Sequence, residues 1–314
     1  MIPGPASSRV RTPELAPEDP LLRAIGGTPL LPLRRLAEPS EGGFELWAKA
    51  EFLNPSGSVK DRAALEIVRS ALANGSLGAS RVLLDASSGN TAVAYAMLGA
   101  RLGFGVELFL PRNASPERVS RIRAYGASIV FTDPAEGTDG AQRQALRRAR
   151  DEPSRYFYAD QYNNPENPGA HYRHTGPEIL QQTGARLTHL VAGVGTGGTI
   201  SGRARYLKQE RPEVRVVGVE PAGPVHGIEG LKHLPSALRP STYDETLIDD
   251  TIRIETEVAQ RMQRRLAVEE GLAVGVSSGA AVAAALGVGR SDPGAVIVTL
   301  LPDADRRFAP ERGE

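Results

Sequence analysis

A chain of 314 residues with 40% hydrophobic and 24% charged residues has the content of one large or two medium globular domains. Lys plus Arg and Asp plus Glu both number 37, so the formal net charge is zero, and a nucleic-acid or anionic-membrane partner, which calls for a basic excess, is not expected. There is no cysteine, which excludes disulfides and cysteine-based metal or redox chemistry, and no apolar run approaches the ~20 residues of a spanning helix.

Residues 1–20 are rich in Pro, Ser and charge and read as a mobile extension without a signal-peptide apolar region, so the expected compartment is the cytoplasm. From about residue 45 onward, short β-rich apolar runs alternate with amphipathic stretches. The spacing predicts a helix over 58–73, a strand over 82–85, a helix over 90–102 and a strand over 106–110. A helix over 116–125, a strand over 128–131, a helix over 140–150 and a strand over 156–159 follow. The basic cluster Arg143 to Arg150 lies at helical spacing and reads as a solvated face. The stretch 160–168 carries Asn163, Asn164, Pro165, Asn167 and Pro168 and reads as a domain junction. Beyond it come helix 168–182, strand 188–192, helix 198–209, strand 215–219, helices 257–270 and 278–286, and strand 296–300. Continuous apolar strands alternating with helices predict an α/β fold with parallel sheets covered on both faces.

Three segments carry chemistry. Lys60 stands in Asn54-Pro55-Ser56-Gly57-Ser58-Val59-Lys60-Asp61-Arg62. A lysine amine attacks an aldehyde only when neutral, and burial or a positive neighbour brings it toward that state. Ser58 is placed to cap the helix that begins near Lys60. The loop Ser87-Ser88-Gly89-Asn90-Thr91 joins a strand to a helix, and its hydroxyls and free N–H groups suit a carboxylate. The loop Gly193-Val194-Gly195-Thr196-Gly197-Gly198-Thr199 does the same for a phosphate. Both loops follow the carboxyl end of a strand, where open parallel sheets bind ligands. Gly193, Gly195 and Gly198, with Glu220 closing the next strand, also satisfy a dinucleotide fingerprint, so an NAD(P)-dependent Rossmann oxidoreductase competes on pattern alone.

Gly275-Val276-Ser277-Ser278-Gly279 has the form of a hydrolase elbow. In that fold the histidine follows the serine, whereas all five histidines here precede Ser277, so the reading is rejected. His171 and His174 share a helix face without a plausible ligand set, and no metal is expected.

Taken together, these segments resemble the cysteine synthase family, the β-family or fold type II of pyridoxal-phosphate (PLP) enzymes. The resemblance runs from Ile25-Gly26-Gly27-Thr28-Pro29-Leu30 to Leu300-Leu301-Pro302. It takes in Asp160-Gln161-Tyr162-Asn163-Asn164-Pro165, His174-Thr175-Gly176-Pro177-Glu178 and Val219-Glu220-Pro221. It implies two three-layer αβα domains of the tryptophan synthase β type, with PLP in the cleft between them. A smaller mobile domain of residues 44–154 is expected, with 1–43 as an N-terminal extension and part of the large domain, and 155–314 as the large, phosphate-binding domain. By the resemblance, Lys60 would form the covalent imine with PLP and act as general base, and Asn90 would bond the ring hydroxyl. Gly195, Thr196, Gly197, Gly198 and Thr199 would cradle the phosphate, and Ser277 would face the pyridine nitrogen. Ser87, Ser88, Thr91 and Gln161 would hold the substrate carboxylate, and Gly230 belongs to a loop that would close over the substrate amine.

The resemblance implies β-replacement of an activated serine by a sulfur nucleophile to give cysteine, with small-molecule substrates and a homodimer as the expected assembly. Cystathionine β-synthase and serine or threonine dehydratase activity share the fold and remain alternatives, and a PLP-free scaffold is the bland one. The stretch from Gly227 to Pro240 is closest to the B-type and O-phosphoserine-using members, and Lys232 is expected to meet an anionic substrate group. Two departures stand out. Ala92 replaces a common glycine at a helix start, and the segment from Leu301 to Phe308 only loosely echoes the family's closing stretch.

Overall fold

The computed structural model describes residues 19–37, 43–78, 80–87 and 89–304. The N-terminal stretch read as an extension, Ser88, and the end of the closing segment from Asp305 to Phe308 lie outside the described residues.

The chain divides into two compact units. Of the described residues, the first contains those up to Leu22 and those within 64–160; the second contains those within 23–63 and 161–304. The division between Asp160 and Gln161 falls at the head of the Asn/Pro-rich stretch.

The second unit is built on a six-stranded sheet. Its strands are β1 (Leu30–Pro32), β2 (Glu45–Ala50), β7 (His189–Gly193), β8 (Arg215–Pro221), β9 (Asp250–Ile254) and β10 (Val296–Leu301). They lie in the order β1-β2-β10-β7-β8-β9, with only β1 antiparallel to its neighbour. The smaller domain was expected to begin at residue 44. Instead β2 pairs with β10 over six positions, from Val296–Glu45 to Leu301–Ala50, and that ladder ties this segment to the larger sheet.

Alternate residues of the central strands feed two cores, as the pleat requires. Val191, Val217, Val219, Ile297 and Leu301 point to a core shared with α9 (Thr256–Glu270) and α10 (Val276–Ser291). Leu190, Ala192, Val216, Val298 and Leu300 point to the opposite core, shared with α7 (Gly176–Gln182) and α8 (Gly198–Glu210). Strands that bury both faces explain the continuous apolar runs read in the sequence.

The first unit is built on a four-stranded parallel sheet in the order β5-β4-β3-β6. These strands are β3 (Val82–Ala86), β4 (Val106–Pro111), β5 (Ser128–Thr132) and β6 (Tyr156–Tyr158). One core joins Leu84, Ala86, Phe109 and Tyr156 to Ala141 and Ala145 of α5 (Gly137–Asp151). Helices α3 (Asn90–Leu102) and α4 (Pro116–Ala124) follow β3 and β4. A one-turn α1 (Pro20–Arg23) precedes them all, and α2 (Lys60–Ala73) runs from one unit into the other.

The helix expected over 168–182 is three pieces: α6 (Glu166–Ala170), a π-helical turn His171–Thr175, and α7. The Gly176 N–H reaches back to the His171 carbonyl, and Pro177 has no N–H to continue the ordinary ladder. Among the described residues no helix is long and apolar enough to cross a membrane.

Candidate active site

Lys60 opens α2 and is partly buried. Its N–H donates to Ser58 Oγ at 3.3 Å, so Ser58 does serve the helix start. The segment after β10 sews this start to a second one. The Val59 N–H bonds Pro302 O at 2.8 Å, Ala304 N bonds Gly57 O at 3.1 Å, and Gly275 N bonds Asp303 O at 3.0 Å. Single antiparallel bridges, Ser58 with Asp303 and Val274 with Ala304, complete the stitch. Residues 302–304 thus lie between the start of α2, which carries Lys60, and the start of α10, whose first turn carries the buried Ser277. A side chain at Gly275 would overlap the Asp303 carboxylate, so the close approach requires glycine.

Burial pushes the Lys60 ammonium down to about 8; Asp303 opposes that shift and Arg203 adds to it. An amine with that value is neutral in roughly a tenth of the molecules at pH 7, about three-hundredfold more than an ordinary lysine, and that fraction can attack a carbonyl.

Behind Lys60 lies a buried charge network that motif reading missed. Glu51 is fully buried and accepts from Arg62 Nε at 2.8 Å, Arg62 Nη2 at 3.0 Å, Asn54 Nδ2 at 2.8 Å and Thr28 Oγ1 at 3.1 Å. Glu178 accepts from Arg62 through both Nη atoms and pairs with Lys49 at 2.6 Å. Burial is the largest single effect and raises both carboxyls, but it is outweighed by the sum of their partners, Arg62 with Arg203 and Asn54 at Glu51 and Arg62 with Lys49 at Glu178; Glu178 is held at about 2. Asn54, Arg62 and Glu178 all stand in segments that carried the resemblance; what the sequence did not reveal is that they pair.

The loop Gly193 to Thr199 leads from β7 into α8. Gly197, at φ +84°, takes the left-handed backbone that glycine favours. Side chains at Gly195, Gly197 and Gly198 would overlap the Gly230 carbonyl, Tyr243 and Asn167, respectively. Thr242 Oγ1 lies 2.6 Å from Thr196 O and 3.1 Å from Tyr162 O, and Asn167 Nδ2 donates to Gln161 O at 2.7 Å and Thr196 Oγ1 at 3.2 Å. The structure therefore brings Gln161 and Gly230 to the loop that the sequence assigned to phosphate. The Lys232 N–H bonds Val194 O at 2.9 Å, and its ammonium sits 4.9 Å from the Tyr162 ring centroid. His171 joins the same neighbourhood, with Nε2 3.2 Å from Thr199 Oγ1 and Nδ1 3.0 Å from Thr175 Oγ1. Burial first, then Arg203, Arg62 and Lys60, hold it well below its ordinary value, so it is neutral.

In the other unit, Ser87, Gly89, Asn90 and Thr91 join β3 to α3. Ser87 and Thr91 are buried, and Ser87 Oγ accepts from the Gly89 N–H at 3.2 Å.

These residues fit PLP. The first turn of α8 has no acidic residue and no side-chain cap, which leaves its N–H groups and dipole to a phosphate. The glycines keep that cradle bare of side chains. Lys60 supplies an amine suited to an aldehyde, and Ser277 a hydroxyl rather than a carboxylate.

The comparisons agree. Residues 21–303 match the family model described as pyridoxal-phosphate dependent enzyme. The chain is 47% identical over 293 residues to a cysteine synthase of Aquifex aeolicus, covering 92% of this chain and 90% of that one. It is 42% identical over 288 residues to cysteine synthase B of Escherichia coli, covering 92% and 93%. The crystal structure of an O-acetylserine dependent cystathionine beta-synthase from Helicobacter pylori matches with a TM-score of 0.85 at 34% identity, over 92% of this chain and 96% of that one. The dinucleotide reading of the Gly193 to Gly198 loop is thereby overturned: the same glycines belong to a PLP family.

Proposed function

Because this chain belongs to the cysteine synthase family of PLP-dependent enzymes, we propose that it makes L-cysteine by replacing the β-substituent of an O-activated serine with sulfide. The observation that carries the reading is Lys60: an amine lowered to about 8 at a helix start stitched to Ser277 through residues 302–304. PLP, when bound, supplies an electron sink for negative charge at the substrate Cα. The chain's own residues do the rest. Gly195 to Thr199 and the first turn of α8 would hold the phosphate. The Ser277 hydroxyl would face the pyridine nitrogen without protonating it, which suits β-chemistry over transamination. Lys60 would take the proton from the substrate Cα and later return it. Gln161, Ser87, Ser88 and Thr91 would bind the substrate carboxylate, Asn90 the ring hydroxyl, and the Gly230 loop would close over the amine; the family resemblance supports these assignments.

O-acetylserine and O-phosphoserine are both candidate donors. Lys232 favours an anionic substrate group, being a cation beside the loop that holds Gly195. If Lys232→Ala leaves the kinetics with both donors unchanged, that role is wrong. Homocysteine as the acceptor thiol is the second reading, favoured by the likeness to the H. pylori enzyme. A homodimer in the cytoplasm accompanies this assignment.

The test is the visible absorbance of the purified protein. A yellow protein whose band shifts with O-acetylserine and returns with sulfide, as cysteine appears, supports the assignment. A yellow protein indifferent to O-acetylserine directs the search to O-phosphoserine and homocysteine. A protein that stays colourless after incubation with PLP overturns the reading.

A further inference from the structure

His171 is buried at the head of the π-helical turn, and both its ring nitrogens are engaged. Nδ1 lies 3.0 Å from Thr175 Oγ1, and Nε2 lies 3.2 Å from Thr199 Oγ1. Thr199 is the second residue of α8, at the end of the loop that suits a phosphate. Neither hydroxyl makes another hydrogen bond among the described residues. The packing that seats the ring is tight. A side chain at Gly198 would overlap Asn167, one at Gly202 would overlap Pro168 O and His171 Cβ, and one at Gly176 would overlap Tyr206. Positions 198, 202 and 206 form one stripe of α8, four residues apart. They meet 167, 171 and 176, and the last step is five residues because the π turn adds one. The added residue lets His171 and Gly176 both meet α8.

The surroundings fix where the protons lie. The ring is neutral, so one nitrogen donates and the other accepts. Thr175 is fully buried, and the one partner for its hydroxyl proton among the described residues is Nδ1. A proton on Nδ1 would leave that buried hydroxyl proton unpaired, which is costly. Nδ1 therefore accepts from Thr175, and Nε2 carries the ring proton and donates to Thr199 Oγ1. A hydroxyl that accepts from His171 keeps its own proton for another acceptor. We propose that His171 is a positioning residue for the cofactor phosphate: Thr175 holds it as the Nε2–H tautomer, it donates to Thr199, and the Thr199 hydroxyl is thereby fixed as a donor to a phosphate oxygen. This rests on the PLP reading of the loop from Gly195 to Thr199. A donor aimed in advance spares the phosphate the cost of orienting it, and its bond to an anion is of the stronger, charge-assisted kind.

The first readout is the tautomer, taken on the full chain with PLP bound and its histidines labelled with 15N. The chain has five histidines, and the His171 signals are assigned by their loss in His171→Gln. At pH 7, Nε2 should appear protonated and Nδ1 unprotonated; the reverse tautomer, or a ring protonated on both nitrogens, overturns the proposal. The second readout separates the phosphate from the rest of the cofactor. The chain freed of cofactor is titrated with PLP and with pyridoxal, which lacks the phosphate, and the visible band is followed. His171→Phe should bind PLP about tenfold more weakly and pyridoxal as the parent does. His171→Gln, whose amide can still donate to Thr199, should stay within about threefold of the parent for both. Thr199→Val should lose at least as much PLP affinity as His171→Phe, and adding His171→Phe to it should lose nothing further. Equal weakening toward PLP and pyridoxal in folded His171→Phe marks a ring that only supports the fold and overturns the proposal, as does an additive double variant. Should His171→Phe fail to fold, His171→Leu takes its place, and failure of both overturns a role confined to the phosphate. A parent that stays colourless with PLP overturns the cofactor reading and this inference with it, whereas every other adverse outcome leaves that reading standing.

Discussion

Arg62 grips Glu178 with both ends of its fork, Nη1 to Oε1 at 2.7 Å and Nη2 to Oε2 at 2.8 Å, across 116 positions of sequence. The same guanidinium holds Glu51 through Nε and Nη2. One planar group therefore fixes the first turn of α2 to the end of β2 and the start of α7, and Lys60 is positioned with it.

Arg62→Met should leave the fully buried Glu51 without its cation and cost about 3–5 kcal/mol in urea denaturation. Arg62→Lys should recover only part of that, because an ammonium cannot reproduce two bidentate contacts. The acid limb should report Glu178. Its folded value is about 2 against an ordinary 4.5, so its stabilisation is complete above about 4.5 and fades as pH falls toward 2. Glu178→Gln should be less stable than the parent at pH 7 by ~2 kcal/mol, with the gap closing on that interval.

The lowered Lys60 amine has the opposite signature. The unfolded chain protonates it at about 10.5 and the folded chain at about 8, so between those values the unfolded state binds more protons and stability rises with pH. Below 8 the cost is fully present. Cofactor-free Lys60→Met should accordingly be more stable than the cofactor-free parent at pH 7, by on the order of 1–3 kcal/mol after allowing for the solvent that reaches the amine. The advantage should vanish by pH 11. Thermal melts across pH decide the matter.

Gly195→Ala places a methyl on the Gly230 carbonyl. The loop must then shift, and the variant should bind PLP at least tenfold more weakly while the far-UV spectrum stays unchanged. Gly279→Ala is the contrast. Its methyl meets the Ala259 carbonyl between α9 and α10, away from the phosphate loop, so it should lower stability by about 1–3 kcal/mol.

Thr242→Val keeps the shape of the side chain but removes the hydroxyl that reaches Thr196 O and Tyr162 O. The loop at 195–199 should loosen. Equilibrium dialysis should show weaker PLP retention, and urea denaturation a loss of about 1–2 kcal/mol.

Much of the fold could be read from the chain. Strands β3 to β8 and β10 were legible because each is a short apolar run bounded by turn residues. Three were not. β1 is three residues long. β2 carries Lys49, whose charge disguises a position that is fully buried. β9, reading Asp-Thr-Ile-Arg-Ile, is an edge strand with most side chains toward solvent. The break of the 168–182 helix at the π turn was hidden because its cause, Pro177, is also acceptable near a helix start.

What the sequence determined by itself is local chemistry. Glycines that permit a bare loop, a serine two residues before a helix, and a lysine at that helix start are requirements of the backbone and of short-range hydrogen bonding, so they survive as motifs. What only the tertiary structure decided is charge balance and long-range stitching. In sequence Arg203 is one arginine in a helix, and Asp303 one acid in a closing segment. Burial strips Arg203 of water without giving it a hydrogen-bond partner among the described residues, and single bridges at Asp303 and Ala304 tie the closing segment to the starts of the helices that carry Lys60 and Ser277. Arg203 and Asp303 both stand more than a hundred residues from Lys60 in sequence, and the field at a buried amine is set by what surrounds it in space.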